Sequence, residues 1–346
     1  MKPELEKLCQ GFISNRDAVG KAFRWDNSAL HTVCANIFCA HGETAEPERL
    51  EECRRIIRDS TGFLSKFRSR KVRSILAAML CLQEKPEDRM TQANEYFHLL
   101  KRQFKGSEYL VLTAFLLADL ADQTLTEEAI SFGKEIYARM NRQHRILTDK
   151  TDSVFAMLMA FSGKTADELT GETEACYQAL KKKFSSGGAQ TAAQILSMAD
   201  GTPEEKTQRV SALYDALREA EIKYGHSSEL APLAALSLAD TPLPVLTEEI
   251  KEADEFLKTR KGFDGSKESE QAERAMYAVM IVSDQYAGTE QVNITVMTNT
   301  IDMLIAKQYA SRISFFMNLL QFAVKLLPEE KKQPEEEQEK EDSSTK

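Results

Sequence analysis

The amino-acid sequence predicts an all-α protein built as stacked helical hairpins with a period near 40 residues. Three observations carry that expectation. Apolar residues fall at i, i+3 and i+4 almost throughout, while alternating β-branched runs are missing. Proline and glycine are few and stand between the periodic segments. Phrases also return: "LSMAD" at 196–200 is followed by "LSLAD" at 236–240.

Taken in order, the short apolar helices are "VCANIFCA" (33–40), "ILAAMLCL" (75–82), "VLTAFLLAD" (111–119), "VFAMLMAFS" (154–162), "QILSMAD" (194–200), "LAALSLAD" (233–240) and "AMYAVMIVSD" (275–284). Each is followed by a polar joint and a longer amphipathic helix. "EDRMTQANEYFHLLKRQFKG" places Met90, Ala93, Tyr96, Phe97, Leu100 and Phe104 on one face, and "PEEKTQRVSALYDALREAEIKYG" does so with Val210, Leu213, Leu217 and Ile222. Helix starts are marked by Thr202–Pro203–Glu205 and by Thr165 with Glu168, the spacing of a capping box. Gly106, Gly188, Gly225 and Gly265 are expected to end the long helices with positive φ. These markers recur every 36–44 positions, for about six or seven hairpins and a terminal pair. One hairpin cannot bury its apolar faces alone, so neighbours stack and extend a common core. The stack is α-solenoid-like if open; the alternative is a closed α/α toroid. Residues 1–328 are expected to form this one domain, and 329–346 a disordered acidic tail.

Net charge of −9 argues against a protein that grips phosphate backbones, so no nucleic-acid partner is expected. The first residues lack an apolar signal-peptide core, and no apolar stretch is long enough to span a membrane. Six cysteines without a CxxC pair read as reduced, packed thiols of a cytoplasmic protein. The apolar segment 311–327 reads as a core helix closing the stack, with a homodimer contact or an interfacial membrane helix as its alternatives.

Four segments stand in order along the chain: "NRDAVGKAFRWDNS" (15–28), "STGFLSKFRSRKVRSILAAMLCL" (60–82), "GSEYLVLTAFLLADLAD" (106–122) and "RILTDKTDSVFAMLMAFSGK" (145–164). Together they resemble the domain-of-unknown-function 4003 family of Firmicutes proteins, over most of residues 8–300. The resemblance implies a bacterial, cytoplasmic, helical protein with no assigned activity, and it transfers no catalytic residue.

Candidate sites divide by chemistry. "SGKT" (162–165) ends like a phosphate loop but lacks the earlier glycine and the feeding strand, so Gly163 reads as a helix stop and Thr165 as a cap. His31, Cys34, Cys39 and His41 hold zinc-ligand atoms, yet one continuous helix spreads them, so no metal site is expected. No cofactor motif is present. The run "KFRSRKVR" (66–73) gathers Arg68, Arg70, Lys71 and Arg73 against the overall sign of the chain, and is the binding candidate for an anion, an acidic partner or the acidic tail. Its plain alternative is a solvated helix junction. Arg24 and Trp25 join the candidate set; a single tryptophan near a helix end serves either as a core plug or as a binding surface. Asp149 and Asp152 read as N-caps. Asp119, Asp200, Asp240 and Asp284 end equivalent short helices and read as Asx turns at the joints.

No Ser/His/Asp or Cys/His constellation is visible. The expected function is therefore a non-catalytic module binding a protein, a peptide or a small anion; the alternative is an enzyme with its site in a toroid's central cavity. An open stack would remove the toroid. A stack closed around a polar cavity would remove the scaffold.

Overall fold

The computed structural model describes residues 1–70, 72–119, 126–148, 152–227 and 229–286. Fourteen α-helices lie among them. The odd-numbered helices are amphipathic: α1 (Pro3–Ala22), α3 (Pro47–Asp59), α5 (Pro86–Leu100), α7 (Glu127–Gln143), α9 (Ala166–Leu180), α11 (Pro203–Glu219) and α13 (Leu243–Lys258). They alternate with α2 (Ser28–Ala40), α4 (Arg73–Cys81), α6 (Glu108–Asp119), α8 (Asp152–Met159), α10 (Ser186–Met198), α12 (Leu230–Leu236) and α14 (Glu268–Gln285). Every odd helix packs on the even helix that follows it, giving seven hairpins among the described residues. The odd helices form an outer layer and the even ones an inner layer, buried on every face in α4 from Ser74 to Leu80 and along all of α12. All seven apolar segments of the sequence are inner helices, because only a helix with neighbours all round tolerates apolar residues all round.

Capping chemistry places the helix starts. Thr165 with Glu168 and Thr202 with Glu205 form reciprocal capping boxes at α9 and α11. Pro3, Pro47, Pro86 and Pro203 occupy first helical positions, where the missing N–H would have no partner anyway. The glycine expectation is corrected. Positive φ occurs at Gly42, Gly163, Gly201 and Gly262, so three of these four glycines follow inner helices. Gly188 instead lies in the first turn of α10, where an added Cβ would collide with the backbone carbonyl of Ser227.

The outer helices end on an aromatic plug. Phe23, Phe67, Phe104, Phe184 and Phe263 sit in outer-to-inner joints and are buried. Each packs on the next outer hairpin. Phe23 lies under Arg54 of α3, Phe67 meets Phe97 of α5 at 5.5 Å, Phe104 meets Tyr137 of α7 at 6.0 Å, and Phe184 meets Tyr214 of α11 at 5.0 Å. In the fourth joint His144 takes this place against Tyr177 of α9 at 4.5 Å.

Phe263, in the last joint, makes the same step onto Phe12 of α1. Helix α1 also packs on α13 and α14, and α14 on α2. Arg16 donates to the Lys261 carbonyl at 3.1 Å and lies over the Phe263 ring. Buried Glu249 of α13 accepts from Lys2 Nζ at 2.7 Å and from the Tyr286 hydroxyl at 2.5 Å. Of the two shapes open to stacked hairpins, these contacts give the closed one: among the described residues, the first hairpin seals against the last. The segments 311–327 and 329–346, to which the dimer contact and the tail were assigned, lie outside the described residues.

Candidate anion-binding site

Helix α3 reads "PERLEECRRIIRD" and buries Leu50, Cys53 and Ile57. That register leaves Arg54 partly exposed and Arg55 and Arg58 exposed, with Arg54 and Arg58 one turn apart on one side. Past α3 the chain makes a short 3-10 turn, Lys66–Arg68, pinned by buried Phe67. The turn folds Arg68 back over the end of α3, where it donates to the carbonyls of Arg58 and Thr61 and to Thr61 Oγ1. A cation at that negative helix end is favourable. Arg73 opens α4, where a cation is unfavourable. Asp26 offsets it at 3.3 Å and also accepts from Ser74 Oγ.

Arg54, Arg55, Arg58, Arg68 and Arg73 thereby line one cleft of about 470 Å³. Glu51 is the single carboxylate among its described lining residues, which include neither histidine, cysteine nor serine. Burial, and next the Arg73 guanidinium, pull Arg54 below its ordinary pKa, against the smaller opposing pull of Asp26 and Glu51. Positive charge at Arg54 is thus under-compensated by the protein itself. A larger cleft of about 600 Å³ between the α11–α12 joint and α14 differs in kind: Arg218 and Lys223 face Glu221, Glu229 and Glu268 there, so its lining carries more acids than cations.

Of the residues expected from the sequence, Arg68 and Arg73 line the cleft. Arg70 lies beside it and donates to the Trp25 carbonyl at 3.4 Å; Lys71 falls outside the described residues. Trp25 is 77% exposed, so it is no core plug, and Arg24 stacks over its ring at 4.8 Å. Arg54, Arg55 and Arg58 join Arg68 and Arg73 in the lining from outside the expected set. Their signal was present as R-R-x-x-R inside a helix whose Leu50, Cys53 and Ile57 fix the buried side.

The other candidates disperse. Lys164 of "SGKT" donates to the Ser197 and Ala199 carbonyls, both at 2.9 Å, and pairs with Glu172. His31, Cys34, Cys39 and His41 contact four separate groups: the Phe23 carbonyl, the Ser74 carbonyl, Asn15 and the Ile37 carbonyl. Asp152 is the first residue of α8 and its buried carboxylate accepts from Gln190 and Gln194 of α10, so it ties two inner helices together; Asp149 lies outside the described residues. Asp200 and Asp240 are exposed, and cations close their joints in place of Asx turns. Lys164 and Lys206 take the carbonyls that end "LSMAD", while Arg209 takes those of Ser237 and Ala239 in "LSLAD" at 2.5 and 2.7 Å. Asp284 is half-buried, and the side chain of Asp119 is outside the described set. All six cysteines are free thiols, five of them buried.

A family model described as a protein of unknown function, DUF4003, matches residues 15–310. No curated protein and no solved structure matches the chain.

Proposed function

The chain belongs to the DUF4003 family, and we propose that it is a non-catalytic binding module whose arginine cleft takes a small, multiply charged anion bearing phosphate or carboxylate groups. The observation that carries this reading is that five arginines line one cleft with Glu51 as its single lining carboxylate, in a chain of net charge −9. Asp59 beside it pairs with Arg58 at 2.9 Å and Asp26 with Arg73 at 3.3 Å, which leaves an excess of positive charge. Like charges about 6 Å apart repel by roughly 3 kcal/mol at an effective dielectric near 20. An anion that bridges them relieves that repulsion and gains charge-assisted, often bidentate, hydrogen bonds. Arginine stays protonated at any physiological pH, so such a site binds and neutralises charge but moves no proton.

Closure of the stack favours a second reading, an enzyme with its site inside the ring. Against it stands the character of the inner helices: α4 and α12 bury mostly Leu, Ile, Ala and Met, and the buried acid Asp152 is already taken up by two glutamine amides.

Thermal unfolding with pyrophosphate as probe tests the first reading. A ligand at about 100 times its Kd raises stability by roughly 2.7 kcal/mol. The wild-type Tm should rise with pyrophosphate, and the rise should vanish in Arg54→Ser/Arg58→Ser. An equal rise in both proteins would sink the proposal.

A further inference from the structure

The seven outer-to-inner joints share one rim of the ring. Arg73 reaches from the second joint to Asp26 in the first, Lys66 from the second to Glu108 beyond the third, and the Ser185 N–H from the fifth to the His226 carbonyl in the sixth. This rim is cationic. Its joints read "KFRSR" (66–70), "KRQFK" (101–105), "KKK" (181–183) and "RK" (260–261). The opposite rim is the more acidic, with Glu43, Glu46, Asp200 and Asp240 in its joints and Glu127 and Glu128 opening α7, whereas the acids of the first rim, Asp26, Glu221, Glu229 and Asp264, are outnumbered by its cations. Cations suit the ends of the outer helices and acids their starts, although the inner helices that begin on the same rim oppose this.

Dipoles do not account for the apolar side chains on the cationic rim. Ile146 is 97% exposed, Leu64 91%, Phe63 85% and Trp25 77%, and no other large hydrophobic residue among those described exceeds 43%. All four lie in outer-to-inner joints, the first, second and fourth. Trp25 stands in the first joint, Phe63 and Leu64 side by side in the second, and Ile146 in the fourth, with the polar third joint "KRQFKGS" between them. A protein partner is met by a contiguous, desolvated apolar centre inside a polar rim. Apolar tips on three joints, divided by the cationic third joint, fit a planar partner that is apolar below and anionic at its surface. The pair Arg24–Trp25, a cation stacked on an exposed indole, is at home in such an interface.

We propose that this rim docks the ring on an anionic lipid bilayer. Trp25, Phe63, Leu64 and Ile146 enter the headgroup–acyl boundary while exposed Lys105 and Lys182 meet the headgroups. The proposed contact is peripheral; no described helix is long and apolar enough to cross a membrane. The inference does not rest on the anion cleft, because it stands on apolar tips that lie outside the cleft lining.

Trp25 is the only tryptophan in the chain, so intrinsic emission reports on this rim alone. With vesicles of phosphatidylcholine and phosphatidylglycerol at low salt, the emission should shift to the blue and resist acrylamide quenching. Partitioning should be at least tenfold stronger than onto phosphatidylcholine alone. The variant Phe63→Ser/Leu64→Ser/Ile146→Ser should lose at least tenfold in partitioning while keeping its helical circular dichroism and its pyrophosphate response. That retained response separates a failure here from a failure of the cleft. Unchanged Trp25 emission with anionic vesicles would overturn the proposal, as would full partitioning by the triple variant. Capture on heparin without vesicle binding would assign the rim to a soluble polyanion and overturn it equally.

Discussion

Phe12 and Phe263, from the first and last described hairpins, pack with ring centroids 6.1 Å apart, and both rings meet Tyr277. The joint aromatics between earlier hairpins make the same contact, so closure uses the device that builds the stack. Phe12 is fully buried.

Replacing that side chain tests the seal. Phe12→Ala should cost about 3–5 kcal/mol, the range for deleting a buried aromatic side chain. The control, Ile146→Ser at a 97% exposed position, should stay within about 0.5 kcal/mol. Urea unfolding midpoints measure both, and similar values for the two variants would mean that the Phe12–Phe263 seam does not hold the ring.

Lys164 and Lys206 converge on one carbonyl oxygen, that of Ala199, at 2.9 and 2.8 Å. Two ammonium groups tolerate this because Glu172 bridges them at 2.9 and 2.8 Å. Glu172→Gln leaves both cations unneutralised, one of them nearly buried. The full cost of breaking a buried pair is discounted here because Glu172 is about a quarter exposed, to about 2–3 kcal/mol. The expected outcome is a lower urea midpoint that Lys164→Met, introduced alongside, partly restores.

Alkali should weaken the seam. Burial raises Tyr277 well above the ordinary tyrosine range, and burial with the Glu249 carboxylate raises Tyr286. An unfolded tyrosine ionises near pH 10, whereas these two stay protonated in the folded protein. Their contribution is therefore complete below about pH 10 and is lost as the pH rises through their folded-state values. Stability should fall above about pH 10, and less steeply in Tyr286→Phe, as read by unfolding midpoints across that range.

What the sequence made legible was whatever is local. Apolar residues on all sides of "ILAAMLCL" and "LAALSLAD" require helices with neighbours all round, and α4 and α12 are such helices. Thr165 and Thr202 announce their helix starts within four residues. Closure was not legible, because nothing near Phe12 in sequence points to Phe263. Half of the cleft was hidden for a related reason: Arg54, Arg55 and Arg58 look like the wet face of any amphipathic helix until the α3–α4 hairpin brings Arg68 and Arg73 beside them. The glycine stops were misplaced because buried aromatic plugs end the outer helices, and Gly42, Gly163 and Gly201 turn the chain after inner ones.

The cleft should also show its charge through salt. Interactions between partly exposed charges weaken as the Debye length shortens from about 10 Å at 0.1 M to about 3 Å at 1 M. Pyrophosphate affinity should fall at least tenfold over that range, whereas the anion should have no measurable affinity for the mixed-charge cleft around Arg218 and Lys223. Protection of Arg54 and Arg58, but not Arg218, from a guanidinium-selective reagent when pyrophosphate is present checks both statements.

Calorimetric titration of pyrophosphate into the wild-type chain and into Arg54→Ser/Arg58→Ser at low salt tests the central claim most directly. The account predicts one site per chain in the wild type and an affinity at least tenfold lower in the variant. Equal affinities in the two proteins, or no heat of binding in the wild type, would contradict it.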